Sequence, residues 1–266
     1  MLRPYPEKAL FFPRNTYPLK HILFPGLAFQ TIFMYQRFPH QFNPQHHFFA
    51  MPIKRMSVRK RAAVVLERLS LRYPNPETAL TWSTPWELLV ATMLSAQCTD
   101  ERVNKVTPNV FAKWPDIPSQ AEADPTEVED VVRSTGFFRN KAKNMIGAAR
   151  MCLELHDSEV PRTMAELIRL PGVARKTANI VLSNAFNIHE GIAIDTHVKR
   201  ISFRLGLTKS DNPTIIERDL MPLFPRPQWG DINHCLVLFG REVCRARKPV
   251  CGECELKDIC PKHGVA

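Results

Sequence analysis

The stretch Leu170-Pro171-Gly172-Val173-Ala174-Arg175-Lys176-Thr177-Ala178 reads as the end of one short helix and the start of another. Proline stops the first helix, because it has no N–H to donate and its ring clashes with the preceding turn. Gly172 supplies the backbone freedom a tight reversal needs. The amides that open the second helix have no partner within it and point outward, beside the positive end of the helix dipole. That is an anion site, suited to a backbone phosphate. Lys176 falls in the first turn of this second helix. A surface lysine is ordinarily just solvated. One held beside positive dipole ends and away from bulk water gives up its proton more readily, and a neutral amine is a nucleophile that can form a Schiff base. Nineteen positions later comes Asp195-Thr196-His197, after the apolar run Ile192–Ile194. Asp195 reads as a helix N-cap, and a capping carboxylate is both fixed and ionised, so capping and catalysis are compatible.

Outward from the hairpin the chain is helix after helix. Ser57 caps a helix with Ala62, Val65, Leu66 and Leu69 on its apolar face. Thr84-Pro85 is a helix start, and Trp86–Gln97 is apolar enough for a buried central helix. Asp124-Pro125 starts another, ended by Gly136. Further helices are predicted at about 140–155, 164–169, 175–186, 196–205, 214–223 and 231–242. Alternating strand-like runs are absent, so the class is all-α with short loops.

The tail carries Cys244, Cys251, Cys254 and Cys260 in the spacing C-x6-C-x2-C-x5-C. Four thiolates within 17 residues converge readily on one centre, and both zinc and an iron–sulfur cluster accept them. Arg245, Arg247 and Lys248 lie between the first two. On a loop pinned by metal they fit phosphate contact; the alternative is a solvated turn. Cys98, Cys152 and Cys235 lie in apolar helical patterns and read as core residues.

Seven cysteines, an odd number with four crowded at one end, do not suit a secreted disulfide framework. No apolar run approaches the roughly 20 residues a membrane span requires, so no membrane partner is expected. The net charge of +10 suggests a polyanionic partner, but residues 1–55 hold seven cations against one carboxylate and leave only +4 for the remainder. That stretch is rich in Phe, Pro and His and shows no helical or strand period. Three readings compete for it: sequence upstream of a true start at Met51 or Met56, a disordered extension adding nonspecific DNA affinity, or a targeting peptide.

Together, LPGVARKTA, IDTHV and the cysteine tail resemble the endonuclease III family of the helix–hairpin–helix/Gly-Pro-Asp DNA glycosylase superfamily, over roughly residues 57–262. The resemblance implies a two-lobed helical fold: a six-helix barrel domain at 78–188 with the hairpin, and a cluster domain formed by 56–77 with 189–266. It implies a 4Fe–4S cluster on the four cysteines, deciding iron–sulfur over zinc. It implies a bifunctional glycosylase and AP lyase of base excision repair, with Lys176 as catalytic lysine and Asp195 as catalytic aspartate. The enzyme would remove oxidised pyrimidines and cut 3′ to the abasic site by β-elimination. Gln97, in Leu94-Ser95-Ala96-Gln97, matches the residue that fills the space left by the extruded nucleotide. Phe137 stands where the family carries an aliphatic wedge. Gly172, Val173, Ala174 and Arg175 would meet the DNA backbone, as would the loop cations Arg245, Arg247 and Lys248. Two further departures are visible. Ala174 replaces a second hairpin glycine, which is strained if that position needs positive φ. The loop at Asn187–Gly191 is one residue longer than usual.

The expected partner is double-stranded DNA with damaged pyrimidines or abasic sites, bound by a monomer. In a prokaryote the location would be the cytoplasm, with organelle targeting by residues 1–55 left open. Two rival functions stand beside this one. An adenine-removing mismatch glycosylase shares the fold but lacks a lysine at the position of Lys176. A noncatalytic DNA-binding iron–sulfur protein would bind without cleaving.

Overall fold

A computed structural model describes residues 56–265, and the readings made for residues 1–55 lie outside them. The order is α1 (Val58–Arg72), α2 (Pro85–Leu94), α3 (Asp100–Lys113), α4 (Ile117–Ala121), α5 (Pro125–Val132), α6 (Phe138–Leu155), α7 (Met164–Leu167), α8 (Arg175–Phe186), α9 (Thr196–Arg204), α10 (Pro213–Leu220) and α11 (Trp229–Glu242). No strand occurs among the described residues, and the all-α class holds. No helix among them is long and apolar enough to cross a membrane.

Most starts are capped as side-chain chemistry dictates. Ser57 accepts from the Lys60 amide, and Asp124 from the amides of Thr126 and Glu127. Thr84 accepts from the Glu87 amide, while the Glu87 carboxylate reaches back to the Ser83 amide at 2.6 Å. The sequence reading is corrected in three places. The apolar run from Trp86 stops being helix at Leu94, and Ser95–Gln97 form a turn. Cys98 therefore lies outside any helix, half-buried against the core. The helices α3 and α4 were missed. Pro108 sits inside α3 and reads as a break, yet the Thr99 cap, two first-turn acids and buried Val103, Val106 and Val110 hold the helix through it.

The buried apolar residues sort into two clusters. One runs from Leu80 to Leu182 and is built on α2, whose residues are all buried from Trp86 to Leu94 except Glu87. α8 packs along α2, and α6 packs on α4 and α5. The other joins α1 to α9, α10, α11 and the tail residues Leu256 and Ile259. α11 contacts α8 across the divide.

A buried carboxylate also crosses it. Glu217 on α10 accepts from Arg175 Nε at 2.6 Å and from Asn179 Nδ2 at 2.9 Å, both on α8. Gly191 must be glycine for this contact, because a Cβ there would stand 1.8 Å from Glu217 Oε1. Glu217→Ala strands Asn179 in the interior, and Gly191→Ala pushes the carboxylate away. Each is expected to lower stability by about 2 kcal/mol, read as a shift of the urea midpoint at unchanged slope.

Candidate active site

The hairpin forms as read, with α7 entering and α8 leaving. Gly172 has φ of 76°, and a Cβ there would lie 2.7 Å from Asn144 Nδ2, so both conformation and space require glycine. Ala174 has φ of −90°. The bend is completed at Gly172, and the methyl of Ala174 sits on relaxed backbone. Ala174 is also the N-cap of α8 and offers no side-chain acceptor, which leaves the first-turn amides open. Two expectations are corrected here. Val173 is buried, and its N–H donates to Leu170 O at 3.1 Å, so it holds the turn and has no donor for a phosphate. The Arg175 guanidinium is partly engaged, by Glu217 through Nε and by Glu190 O at 3.5 Å, so the half-exposed side chain serves the fold as well as any anion.

Lys176 and Asp195 share one cavity of about 590 Å³, lined also by Ser95, Ile180, Asn233, His234 and Arg241. Leu80 and Ile180 belong to the first lobe, Asn233 and His234 to the second, so the cavity is the cleft between them. Lys176 is exposed at this cleft rather than withdrawn from bulk water. Asp195 caps α9: its Oδ1 accepts from the amides of His197 and Val198, both at 2.8 Å, and its Oδ2 meets His197 Nδ1 at 3.0 Å. Burial works to raise this carboxyl. The hydrogen bonds from His197 and the Val198 amide, with the charges of His197 and Lys176, outweigh it and hold it below the ordinary carboxylate value.

Cys244, Cys251, Cys254 and Cys260 line a second cavity, of about 410 Å³, walled by Leu205, Phe239 and Leu256. None of the four is in a disulfide. Among the described residues no group of His, Cys, Asp and Glu is set to hold one metal ion; the four cysteines share the lining of one cavity.

Residues 90–226 match the family described as HhH-GPD superfamily base excision DNA repair protein, and residues 244–260 match the iron–sulfur binding domain of endonuclease III. Endonuclease III of Synechocystis sp. is 55% identical over 208 residues, covering 78% of this chain and 95% of that one. Solved structures titled as a non-covalent endonuclease III–DNA complex and a trapped endonuclease III–DNA covalent intermediate each superpose with a TM-score of 0.74 at 39% identity, covering 78% of this chain and 97% of theirs.

The chain belongs to the endonuclease III family. It is a DNA glycosylase with AP lyase activity in base excision repair, and its cofactor is a 4Fe–4S cluster.

The cysteine cavity fits that cofactor. It offers four thiol donors, apolar walls and a backbone N–H from Leu256 to Cys254 Sγ at 3.4 Å, a contact that favours thiolate sulfur. Bound there, a cluster would cross-link the tail through these four cysteines. The sequence reading missed how the protein grips the loop that follows Cys244. Arg204, buried on α9, donates to the carbonyls of Arg245 at 2.7 Å and Ala246 at 3.0 Å and lies 3.4 Å from Cys244 Sγ. Arg200, one turn earlier, donates to Cys244 O and Gly240 O. Their i, i+4 spacing in Thr196–Arg204 was the available signal. With its carbonyls held, the loop presents Arg245, Arg247 and Lys248 to solvent.

Gln97 and Phe137 lie on separate turns. Both are exposed, Phe137 at 64%, and both are left-handed, with φ of 53° and 48°. His234 and Asn233 were also missed, hidden in the apolar run of α11. Burial pushes His234 down to about 4, so its ring is neutral. Because it contacts the acceptor Asn184 Oδ1 at 3.0 Å, Nε2 carries the proton and Nδ1 is left as an acceptor.

The depressed Asp195 carboxyl sets a pH dependence. Its stabilising contribution is complete above the ordinary carboxylate value and is lost as pH falls through the lower value of the folded state. Asp195→Ala should cost about 1 kcal/mol at pH 7, and the gap from the parent should begin to close only below pH 3.8. Urea melts of both proteins between neutrality and that range measure it.

Proposed function

We propose that this enzyme removes oxidised pyrimidines from double-stranded DNA as a monomer, with Lys176 as nucleophile and Asp195 as its electrostatic and proton-accepting partner. The observation that carries this reading is the shared cleft: an amine from a helix N-terminus and an ionised, hydrogen-bonded carboxylate face one cavity between the lobes. A base inside a duplex cannot reach such a cavity, so the damaged nucleotide must be extruded into it. Asn233 and His234 offer polar groups to the edge of an extruded base.

In this mechanism the Lys176 amine attacks the sugar C1′ through its nitrogen lone pair. The glycosidic bond breaks, and its electron pair leaves with the base, which takes up a proton. Asp195 balances the positive charge that develops on the sugar and accepts the proton released by the amine. Ring opening gives a Schiff base between Lys176 and C1′. That cation acidifies C2′, and loss of a C2′ proton expels the 3′ phosphate, cutting the strand. The covalent intermediate trapped for endonuclease III supports a route of this kind. Gln97 fills the gap in the stack, and Phe137 wedges between bases by stacking. The amides of Gly172, Ala174 and Arg175 hold one phosphate, and Arg245, Arg247 and Lys248 hold others.

Two experiments test this. With borohydride present, the parent protein should form a covalent adduct on a thymine-glycol duplex and Lys176→Ala none; an undiminished adduct from Lys176→Ala removes the nucleophile assignment. Asp195→Asn should slow base release by about 100-fold or more. Separately, Arg247→Ala and Lys248→Ala should each weaken binding to damaged and undamaged duplex alike. Each should flatten the slope of log K against log salt by about one, measured by anisotropy titration.

A further inference from the structure

Lys141 is the one lysine of the described residues classed as buried, at 5% exposure, and the mechanism above does not use it. Lysine is almost never buried without a reason in its partners. Here the partners are two backbone carbonyls, Leu94 O and Thr135 O, each 2.8 Å from Nζ. Leu94 ends α2, and the turn that carries Gln97 begins at the next residue. Thr135 immediately precedes Gly136-Phe137. The Lys141 amide donates in addition to Phe137 O at 3.1 Å. One side chain thus grips the base of both exposed, left-handed turns, which lie 40 positions apart in the sequence. Burial pulls the amine below its ordinary value.

We propose that Lys141 is a positioning residue that locks the Gln97 turn to the Phe137 turn, so that both side chains enter the duplex as one rigid unit. The proposal rests on the reading of Gln97 and Phe137 as the residues that enter the stack. The reason for a lock is entropic. Two separate left-handed turns would otherwise each have to find the productive position as the nucleotide leaves, whereas a common anchor sets their spacing beforehand. A helix C-terminus does need its last carbonyls satisfied, and Leu94 O alone would explain a purely structural cap. The second bond, to Thr135 O on the other turn, is what a cap does not require.

The test compares one reaction, β-elimination at an abasic site, in a duplex and in a single strand, using Lys141→Met holoenzyme with its cluster absorbance intact. Only the duplex demands entry into a stack. A 2-aminopurine opposite the abasic site reports unstacking. Lys141→Met should lose about tenfold or more in duplex rate and in the unstacking signal, while its single-strand rate stays at the parent level. Equal losses on the two substrates, or none on either, overturn the proposal. Should Lys141→Met not fold, Lys141→Gln, which keeps amide donors, takes its place with the same expected contrast and a smaller loss. Gln97→Ala and Phe137→Ala separate the two levels of the argument. If they leave the unstacking signal intact, the underlying reading of the turns fails. If they lower it and the Lys141 variant does not, the lock fails. Combined with Phe137→Ala, the Lys141 substitution should add little, and full additivity overturns the coupling.

Discussion

The Asp195 carboxylate is the contact on which the start of α9 depends and, in the function proposed above, the chemistry as well. It closes the first turn of α9 with two amide bonds and a third from its histidine neighbour. It thereby fixes the start of a helix whose far end, through Arg204, holds the loop after Cys244. α9 is nine residues long, or roughly 13 Å at about 1.5 Å per residue. A rod so short barely bends. The position of the carboxylate in the cleft and that of the cationic loop on the surface are set by one rigid piece.

Besides the packing of α11 on α8, the cleft is held by polar interactions that cross it. Glu217 ties α10 to α8 behind the hairpin. Arg241 on α11 bonds Asp100 at the start of α3, at 2.6 Å, within the cavity wall itself. The first is buried on its carboxylate side and less screened by salt; the second is partly exposed on both sides and worth little as stability. This contrast suits a site that must keep its hairpin fixed while its mouth accepts a nucleotide.

Much of this was legible in the residues. Caps at Ser57, Thr84, Asp124 and Asp195 follow from short-range chemistry, and so does the turn at Gly172. The four cysteines, Lys176 and Asp195 were visible because each sits in a local pattern with a mechanism behind it. What stayed hidden depends on partners far along the chain. α3 was obscured by Pro108, whose cost is met by burial against other helices. Val173 and Arg175 looked available for DNA because nothing local reveals a core cavity for one and Glu217, 42 positions away, for the other. His234, Asn233, Arg204 and Lys141 all act through tertiary contacts, and in the sequence they are only polar interruptions of apolar faces.

The second lobe is closed by the two ends of the described chain. α1 meets the tail through Arg68 with Asp258 and Arg72 with Glu255, and it meets the end of α9 through Arg61 with Leu205 O. These pairs are 144 to 190 positions apart. The first lobe, by contrast, is one unbroken segment. During synthesis it can therefore fold first, while α1 waits with its apolar face uncovered until α9, α10 and α11 have emerged. Among the described residues, the helix that is made first is therefore docked last, and the order in which the second lobe is assembled is not the order in which it is synthesised.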